Sequence, residues 1–404
     1  MTHTLDDFQS VFKREGFVQC IYPWVSLDER SLHGEFKVCC WINQALGTHA
    51  KTDSCDLMEL WRNGPITRIR QRMVDGSLKG MCPSNCPILC HEHDPCHHGF
   101  YEYDPSEYDS FSREFRENRE AVLSAILNKE VSPNTLPLRL KLLPSNTCNL
   151  RCRMCNVDKT LKVPVGRDYF EKVYRLMPYL EELKIFGGEP FACKVTKEIV
   201  FGEEIRRYPQ LHFSTVTNGT LLDEAMVQKL DPLRLGWFEF SLDACTEDTY
   251  HQIRLNASYS TTLRNVERFV RKRDRGEIRI DRVFVGFVIQ DRNRHEIRKF
   301  VDFANDLGVA PAFSLVAGSC ELLDKLDEVR GAVQEGLARA RDRGDSYGVN
   351  SLLRVLNDLP GYEATLKRQR TWFQLVNLLG RGRVVSFLQR HTRLKRRLRG
   401  ILRI

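Results

Sequence analysis

From Leu136 to Val316 the chain alternates short apolar runs with longer stretches whose apolar residues recur at helical spacing. Apolar-rich runs bounded by turn signals read as strands, and 3.6-residue periodicity reads as helix. Strands are expected at Leu138–Leu143, Leu183–Phe186, His212–Thr217, Trp237–Leu242, Val283–Ile289 and Ala312–Val316. Between them, helices are expected at Asp168–Tyr179, Thr196–Arg207, Asp223–Leu230, Thr261–Lys272 and Arg294–Leu307. Such alternation implies a parallel sheet with right-handed crossovers. Six strands fall short of a closed eight-stranded barrel, so the expected class is α/β, as a partial (β/α)6 barrel or a doubly wound sheet. In either form, functional groups belong at the carboxyl ends of the strands.

The flanks differ in pattern. Residues 1–105 are cysteine-rich, with short strand-like runs and many turn residues. A polar helical linker is expected over 106–135, broken at Val131-Ser-Pro-Asn134. The α/β region then covers 136–320, and 321–404 reads as helix to the end. With 42% hydrophobic and 28% charged residues, the 404-residue chain can bury a substantial core. No apolar run approaches the ~18 residues of a membrane span. Met1–Glu15 is polar, with Asp6 and Asp7, and has no signal-peptide core, so a cytoplasmic location is expected. The net charge of +8 is uneven. Lys367–Ile404 holds twelve Lys or Arg and no acidic residue; the other 49 basic and 53 acidic residues leave the remainder at −4.

Fourteen cysteines change the picture. Cytosolic thiols stay reduced, and clustered cysteines there point to metal. Cys39, Cys40, Cys55, Cys82, Cys86, Cys90 and Cys96 form one block, and Cys148, Cys152 and Cys155 another. Cys193, Cys245 and Cys320 stand alone and read as small buried apolar residues. The segment Cys148-Asn-Leu-Arg-Cys152-Arg-Met-Cys155 directly follows the first α/β strand. Its spacing lets one loop wrap three thiolates around a single cluster, and soft thiolates suit iron–sulfur or zinc. A four-iron cluster held by three cysteines keeps one iron open, whereas structural zinc needs a fourth protein ligand, and the next cysteine is Cys193. Iron–sulfur is therefore the reading adopted.

Three more motifs end consecutive strands: Gly187-Gly188-Glu189-Pro190, Thr217-Asn218-Gly219 and Ser241-Leu-Asp243. Each alone is an ordinary turn. Together, beside the cysteine loop, they outline a cofactor site, with Ser241 and Asp243 expected on one face by strand alternation.

On these residues, 136–316 resembles the radical S-adenosylmethionine (SAM) superfamily, with Met154 at the usual apolar position before the last cysteine. The resemblance implies a 4Fe–4S cluster on Cys148, Cys152 and Cys155 that binds SAM. It also implies methionine amine contacts at Gly187, Gly188 and Glu189. Thr217, Asn218, Ser241 and Asp243 would lie near the ribose and carboxylate, with Arg254 pairing the carboxylate. Val288 and Ile289, followed by Asn293, would meet the adenine. The implied reaction is reductive cleavage of SAM to a 5′-deoxyadenosyl radical that abstracts a substrate hydrogen, fed by an electron donor such as flavodoxin or ferredoxin. No residue is assigned as a catalytic acid, base or hydrogen donor.

The N-terminal order is Cys20-Ile-Tyr-Pro-Trp24, Val38-Cys-Cys40, Leu60-Trp61-Arg-Asn63, Ile69-Arg-Gln-Arg-Met73 and Cys82-Pro-Ser-Asn-Cys86. It resembles the auxiliary-cluster modules called SPASM or twitch domains, although those usually follow the radical domain and space the last pair by two residues, not three. The implied ligands of a second 4Fe–4S cluster are Cys20, Cys39, Cys82 and Cys86, with Cys40 and Cys90 as substitutes. Zinc is the rival, because Cys90-His-Glu-His93 and Cys96-His-His98 add imidazoles; no histidine is taken as a ligand. Relatives with such modules modify peptides or proteins, or oxidise sugar-like molecules. A peptide or protein substrate is the expectation, with a carbohydrate or lipid-linked molecule as alternative. A non-catalytic electron-transfer or scaffold protein is the alternative of another class. The basic tail reads as a packed helix with a solvated face or as a contact with an anionic membrane surface, with nucleic acid the least favoured partner.

Overall fold

The computed structural model describes residues 20–43, 45–48, 57–62, 64–83, 86, 100–159, 161, 163, 165–317 and 319–379. Cys55, Cys90, Cys96, the histidine-rich turns, Asn63 and the tail from residue 380 lie outside them. The chain divides into two compact units, each discontinuous in sequence: Met1–Asn149, Val157–Phe240 and Ser260–Val283 in the first, Leu150–Asn156, Ser241–Tyr259 and Phe284–Ile404 in the second.

The first unit holds β1 (Ser26–Glu29), β2 (Glu35–Lys37), β3 (Gly47–Thr48), β4 (Arg139–Leu142), β6 (Glu182–Ile185), β7 (His212–Thr217) and most of β8 (Arg234–Ser241). The parallel run is β1–β4–β6–β7–β8, and β2 and β3 extend it antiparallel from β1. One face of the run is apolar: Leu140, Leu142, Leu183, Ile185, Phe213, Phe238 and Phe240 are fully buried. Phe238 and Phe240 pack on Phe269, at ring separations of 5.3 and 5.2 Å, which is why the helix Tyr259–Asp274 keeps its apolar stripe. The opposite face carries half-buried polar and aromatic residues, among them Lys141, Lys184, Phe186 and Trp237.

In the second unit the part of β10 (Ile280–Ile289) from Phe284 on pairs parallel with β11 (Ala310–Leu315), and β5 (Arg151–Cys152) pairs antiparallel with β9 (Arg254–Leu255). Phe287, Phe300 and Phe313 form its aromatic core, with ring separations of 4.6 to 5.8 Å. Long helices at Leu326–Asp342 and Ser346–Leu379 follow. No helix among the described residues is long and apolar enough to cross a membrane.

The α/β class and all six expected strands are present, and the helices depart in detail. The helix expected at Thr196–Arg207 runs Lys194–Phe201 and stops before Gly202, with a 3-10 turn at Ile205–Arg207. The linker forms two helices, Pro105–Ser110 and Arg113–Leu127, capped by the side chains of Asp104 and Ser112. A helix at Glu247–Ile253 was not anticipated.

The amino ends of the strands gather a buried polar cluster. Arg139 pairs with Glu181 at 3.0 Å, and His212 stacks on Tyr101 at 3.8 Å. His212 Nε2 lies 3.5 Å from Asp281 Oδ2. Burial lowers the His212 pKa from 6.5 to about 4, so the folded state refuses a proton that the unfolded chain accepts. Stability is therefore lost as pH falls from 6.5 towards 4. Asp281 opposes this: burial raises its pKa to about 6, so the folded state takes up a proton early and regains stability on acidification. The Asp281→Asn variant should consequently lose about 3 kcal/mol between pH 6.5 and 4, a steeper fall than the wild type shows. Urea denaturation at the two pH values checks this.

Candidate functional site

Two groups of side chains stand at the carboxyl ends of the strands, one in each unit. In the first unit β6 runs into Gly187 and Gly188, at φ +98° and +48°. Neither position tolerates a side chain. A Cβ on Gly187 would lie 2.7 Å from Ser145 O, and one on Gly188 only 2.0 Å from Thr147 O. The Glu189 amide donates to Thr147 O at 2.7 Å. The double glycine is thus pressed against the chain that delivers Cys148.

Glu189 is 1% exposed, and its carboxylate organises the neighbouring strand ends. It accepts from Thr217 Oγ1 and from the Asn218 amide, both at 2.7 Å, and from the Phe191 amide at 3.2 Å. Asn218 in turn directs its Nδ2 to Asn149 Oδ1 at 3.0 Å and towards Cys148 Sγ at 4.0 Å. Two strand-end motifs and the cysteine loop therefore form one hydrogen-bonded cradle around the first cysteine.

In the second unit Cys152 lies on β5 and Cys155 follows in an exposed turn, its amide donating to Cys152 O at 3.1 Å. Met154 is half-buried between them. Arg254 spans two groups: Nη1 is 3.8 Å from Cys152 Sγ, and Nη2 is 2.6 Å from Asp243 Oδ2. Burial works against the guanidinium, yet the charges of Asp243 and Cys152 outweigh it and hold the Arg254 pKa up. Asp243 Oδ1 accepts from the Val288 amide at 2.8 Å, and Asn293 Nδ2 bridges Asp243 O and Val288 O.

Here one sequence expectation fails. Strand alternation placed Asp243 beside Ser241, but β8 ends at Ser241, and Asp243 takes a left-handed conformation at φ +63°. Its carboxylate is turned onto Arg254 and Val288, so Arg254 meets Asp243 and Cys152 as an internal pair. An Asp243→Asn variant keeps the left-handed turn, which Asn tolerates, but strands the buried guanidinium. It should lose about 3 kcal/mol of stability, and pairing it with Arg254→Gln should cost less than the two single changes summed. Urea unfolding of the three variants measures both.

The third grouping is the N-terminal thiols. Cys20, Cys39 and Cys86 are buried and Cys82 half-buried. Burial first, and then the charges of Cys39, Cys86 and Cys82, push the Cys20 thiol well up. Cys39 is pushed to about 12 by burial and by Cys40. Against this, Cys20 takes a backbone hydrogen bond from Tyr22, and Cys39 takes two, from Trp41 and Ile42. These four cysteines are the set that the resemblance to auxiliary-cluster modules implies as ligands, and Cys39, Cys86 and Cys82 are near enough to Cys20 to act on its ionisation. Among the described residues no three Cys, His, Asp or Glu are gathered tightly enough to hold a single metal ion. Trp61 is fully buried with the Arg70 guanidinium 4.8 Å from its ring centroid, and Arg70 Nε donates to Pro23 O at 2.9 Å. Burial lowers the Arg70 pKa to about 9.

Residues 142–304 match the model of the Radical SAM superfamily. This segment is a radical SAM domain. It contains the cysteine loop, the Gly-Gly-Glu turn, Asp243, Arg254 and Val288. The cofactors of such a domain are a 4Fe–4S cluster and SAM, and the residues fit them: three soft thiolates, two with N–H donors directed at sulfur, and a glycine cradle closed to any Cβ.

A probable GTP 3′,8-cyclase of Saccharolobus solfataricus is 27% identical over 175 residues, 42% of this chain and 54% of that one. An AdoMet-dependent heme synthase of Methanosarcina barkeri is 29% identical over 170 residues, 40% of this chain and 45% of that one. The chain thus spans about half the length of the relatives it matches. Streptococcus suis SuiB bound to its precursor peptide SuiA superposes with a TM-score of 0.41 at 14% identity, over 68% of this chain and 58% of that one.

Sequence reasoning missed the internal use of Glu189 and the thiol-directed Asn218. A cofactor motif and a buried scaffold carboxylate look alike in sequence. The proximity of Glu189 to Thr217 appears only once β6 and β7 are paired.

Proposed function

We propose that the chain is a radical SAM enzyme that modifies a peptide or protein. In this reading Cys148, Cys152 and Cys155 hold the SAM cluster, and Cys20, Cys39, Cys82 and Cys86 hold an auxiliary cluster. When bound there, the SAM cluster would supply the electron for reductive cleavage of SAM and so the radical that takes a substrate hydrogen. The chain's own part is to seat that cluster: the Gly187–Glu189 turn fixes the approach to Cys148, and Arg254 supports Cys152. The observation that carries the reading is the cradle in which Glu189 ties Thr217 and Asn218 to the turn beside Cys148. Gly187, Gly188 and Glu189 would meet the methionine amine through the backbone of that turn. Ser241 and half-buried Val288 remain open for the ribose and adenine.

An auxiliary cluster on this quartet, as the resemblance to SPASM and twitch modules implies, would support a peptide or protein substrate. A small-molecule substrate is the second reading, favoured by the names of the cyclase and heme-synthase relatives. Anaerobically reconstituted, reduced protein should form 5′-deoxyadenosine from SAM. Reduced, fully iron-loaded protein that forms none, alone or with peptides, would sink the proposal in favour of a non-catalytic iron–sulfur protein.

A further inference from the structure

Directly below the Gly187–Glu189 turn, one row of residues crosses four parallel strands of the first unit. In register these are Asp28 on β1, Lys141 on β4, Lys184 on β6 and Ser214 on β7. The row lies on the half-buried face, opposite the apolar core. Two ammonium groups therefore stand side by side inside the fold, an arrangement that costs stability in any half-buried cross-strand pair.

Their surroundings only partly answer that charge. Lys184 Nζ is 3.0 Å from Glu182, but Glu182 also serves Arg139 at 4.0 Å and Ser214 Oγ at 2.7 Å. Lys141 makes no ion pair among the described residues; its Nζ sits 4.3 Å over the Phe186 ring. Burial, with Arg30 and Lys184 adding to it, lowers the Lys141 pKa, while Asp28 and Cys40 act the other way. The walls above the lysines are aromatic. Phe186 and Trp237 meet edge to face at 5.5 Å, and Lys184 Nζ is 5.6 Å from the Trp237 ring. Trp237 is held through its amide, which donates to Ser214 Oγ at 3.1 Å.

One shared carboxylate and one ring contact leave part of this charge unanswered, and an anion would answer the rest. Valine or leucine at either position would satisfy the strand and remove the repulsion. The position is also the right one, since Lys184 is three residues from Gly187 and Phe186 immediately precedes it.

We propose that Lys141 and Lys184 bind an anionic group of the substrate, a carboxylate or phosphate, while Phe186 and Trp237 pack against the adjoining planar or apolar portion. This deepens the functional reading above and rests on it only for the identity of the reaction. A substrate held this way presents its neighbouring carbon to the strand ends where the radical domain acts. An acidic peptide and a phosphorylated small molecule share this chemistry.

The test uses the full chain, anaerobically reconstituted, titrated calorimetrically with inorganic pyrophosphate and separately with triglutamate; trialanine is the neutral control. At least one anionic probe should bind, and trialanine should not. Triglutamate binding alone marks a peptide source, and pyrophosphate binding alone a phosphorylated one. Lys141→Met and Lys184→Met should each weaken binding at least about tenfold, and Lys141→Arg should retain most of it. Lys141→Met should not melt below the wild type, because it removes a repelling charge without breaking an ion pair, whereas Lys184→Met also loses the Glu182 pair. The proposal is overturned if neither probe binds up to about 10 mM, if the Met variants bind as well as the wild type, or if Lys141→Met melts much lower, which would make that lysine structural. Wild-type 5′-deoxyadenosine formation is measured in parallel. Probe binding without SAM cleavage would leave the anion site standing and remove the radical reading, and cleavage without probe binding would do the reverse.

Discussion

Cys152→Ala is expected to abolish 5′-deoxyadenosine formation and to lower bound iron from about eight atoms per chain to about four. In the proposed site three thiolates would hold three irons of a four-iron cluster and leave one open, so a variant with two thiolates should no longer hold it. Cys152 is also the thiol that Arg254 Nη1 approaches at 3.8 Å, so its loss unbalances a buried pair. The complementary variant, Cys39→Ala, should lose a similar amount of iron from the other site and keep SAM cleavage. Iron content, visible absorbance and chromatographic detection of 5′-deoxyadenosine separate the two. Equal iron content in wild type and Cys152→Ala would falsify the assignment of the loop as a cluster site.

Gly188→Ala should be nearly as damaging, although it removes no functional group. At φ +48° an alanine pays a left-handed penalty of about 1 kcal/mol, and its Cβ would meet Thr147 O at 2.0 Å. That contact is backbone and cannot rotate away. Thr147 must move, and Cys148 with it. A shift of about an ångström in the reacting geometry costs on the order of a hundredfold in rate, so 5′-deoxyadenosine formation should drop by roughly that factor. Gly276 supplies the control. Its φ is +71°, but a Cβ there meets nothing within 4 Å. Gly276→Ala should therefore show only the conformational penalty, with SAM cleavage unchanged. Equal cleavage rates for Gly188→Ala and Gly276→Ala would show that the glycine cradle does not position the cysteine.

The strands of the α/β region were readable from the chain because each is a local apolar run closed by turn residues, as in His212–Thr217, found where expected. Cys148, Cys152 and Cys155 were readable for the same reason, since eight consecutive residues contain the whole pattern. What depends on pairing between distant segments was not. Glu189 looks like a ligand residue in sequence, yet both its oxygens are engaged, by Thr217 and Asn218 at the end of β7 and by the Phe191 amide. Asp243 left its expected face because the strand stops two residues earlier and the backbone turns left-handed. Lys141 and Lys184 look like ordinary polar positions in alternating strands until the register sets them side by side. His212 and Asp281, almost seventy residues apart, gave no sign of meeting. The N-terminal region gave the opposite lesson. Its cysteines were noticed, but the joining of its first strand to the α/β sheet was not.

That strand has a consequence for how the molecule comes into being. β1 begins six residues after Cys20 and completes its parallel pairing only with β4, more than a hundred residues further on. A parallel partner so remote closes late, because the loop between must be ordered before any contact rewards it. During synthesis Cys20 and Cys39 therefore emerge long before the surface that aligns them exists. If these thiols hold the proposed auxiliary cluster, its insertion would follow assembly of the sheet and come late in maturation.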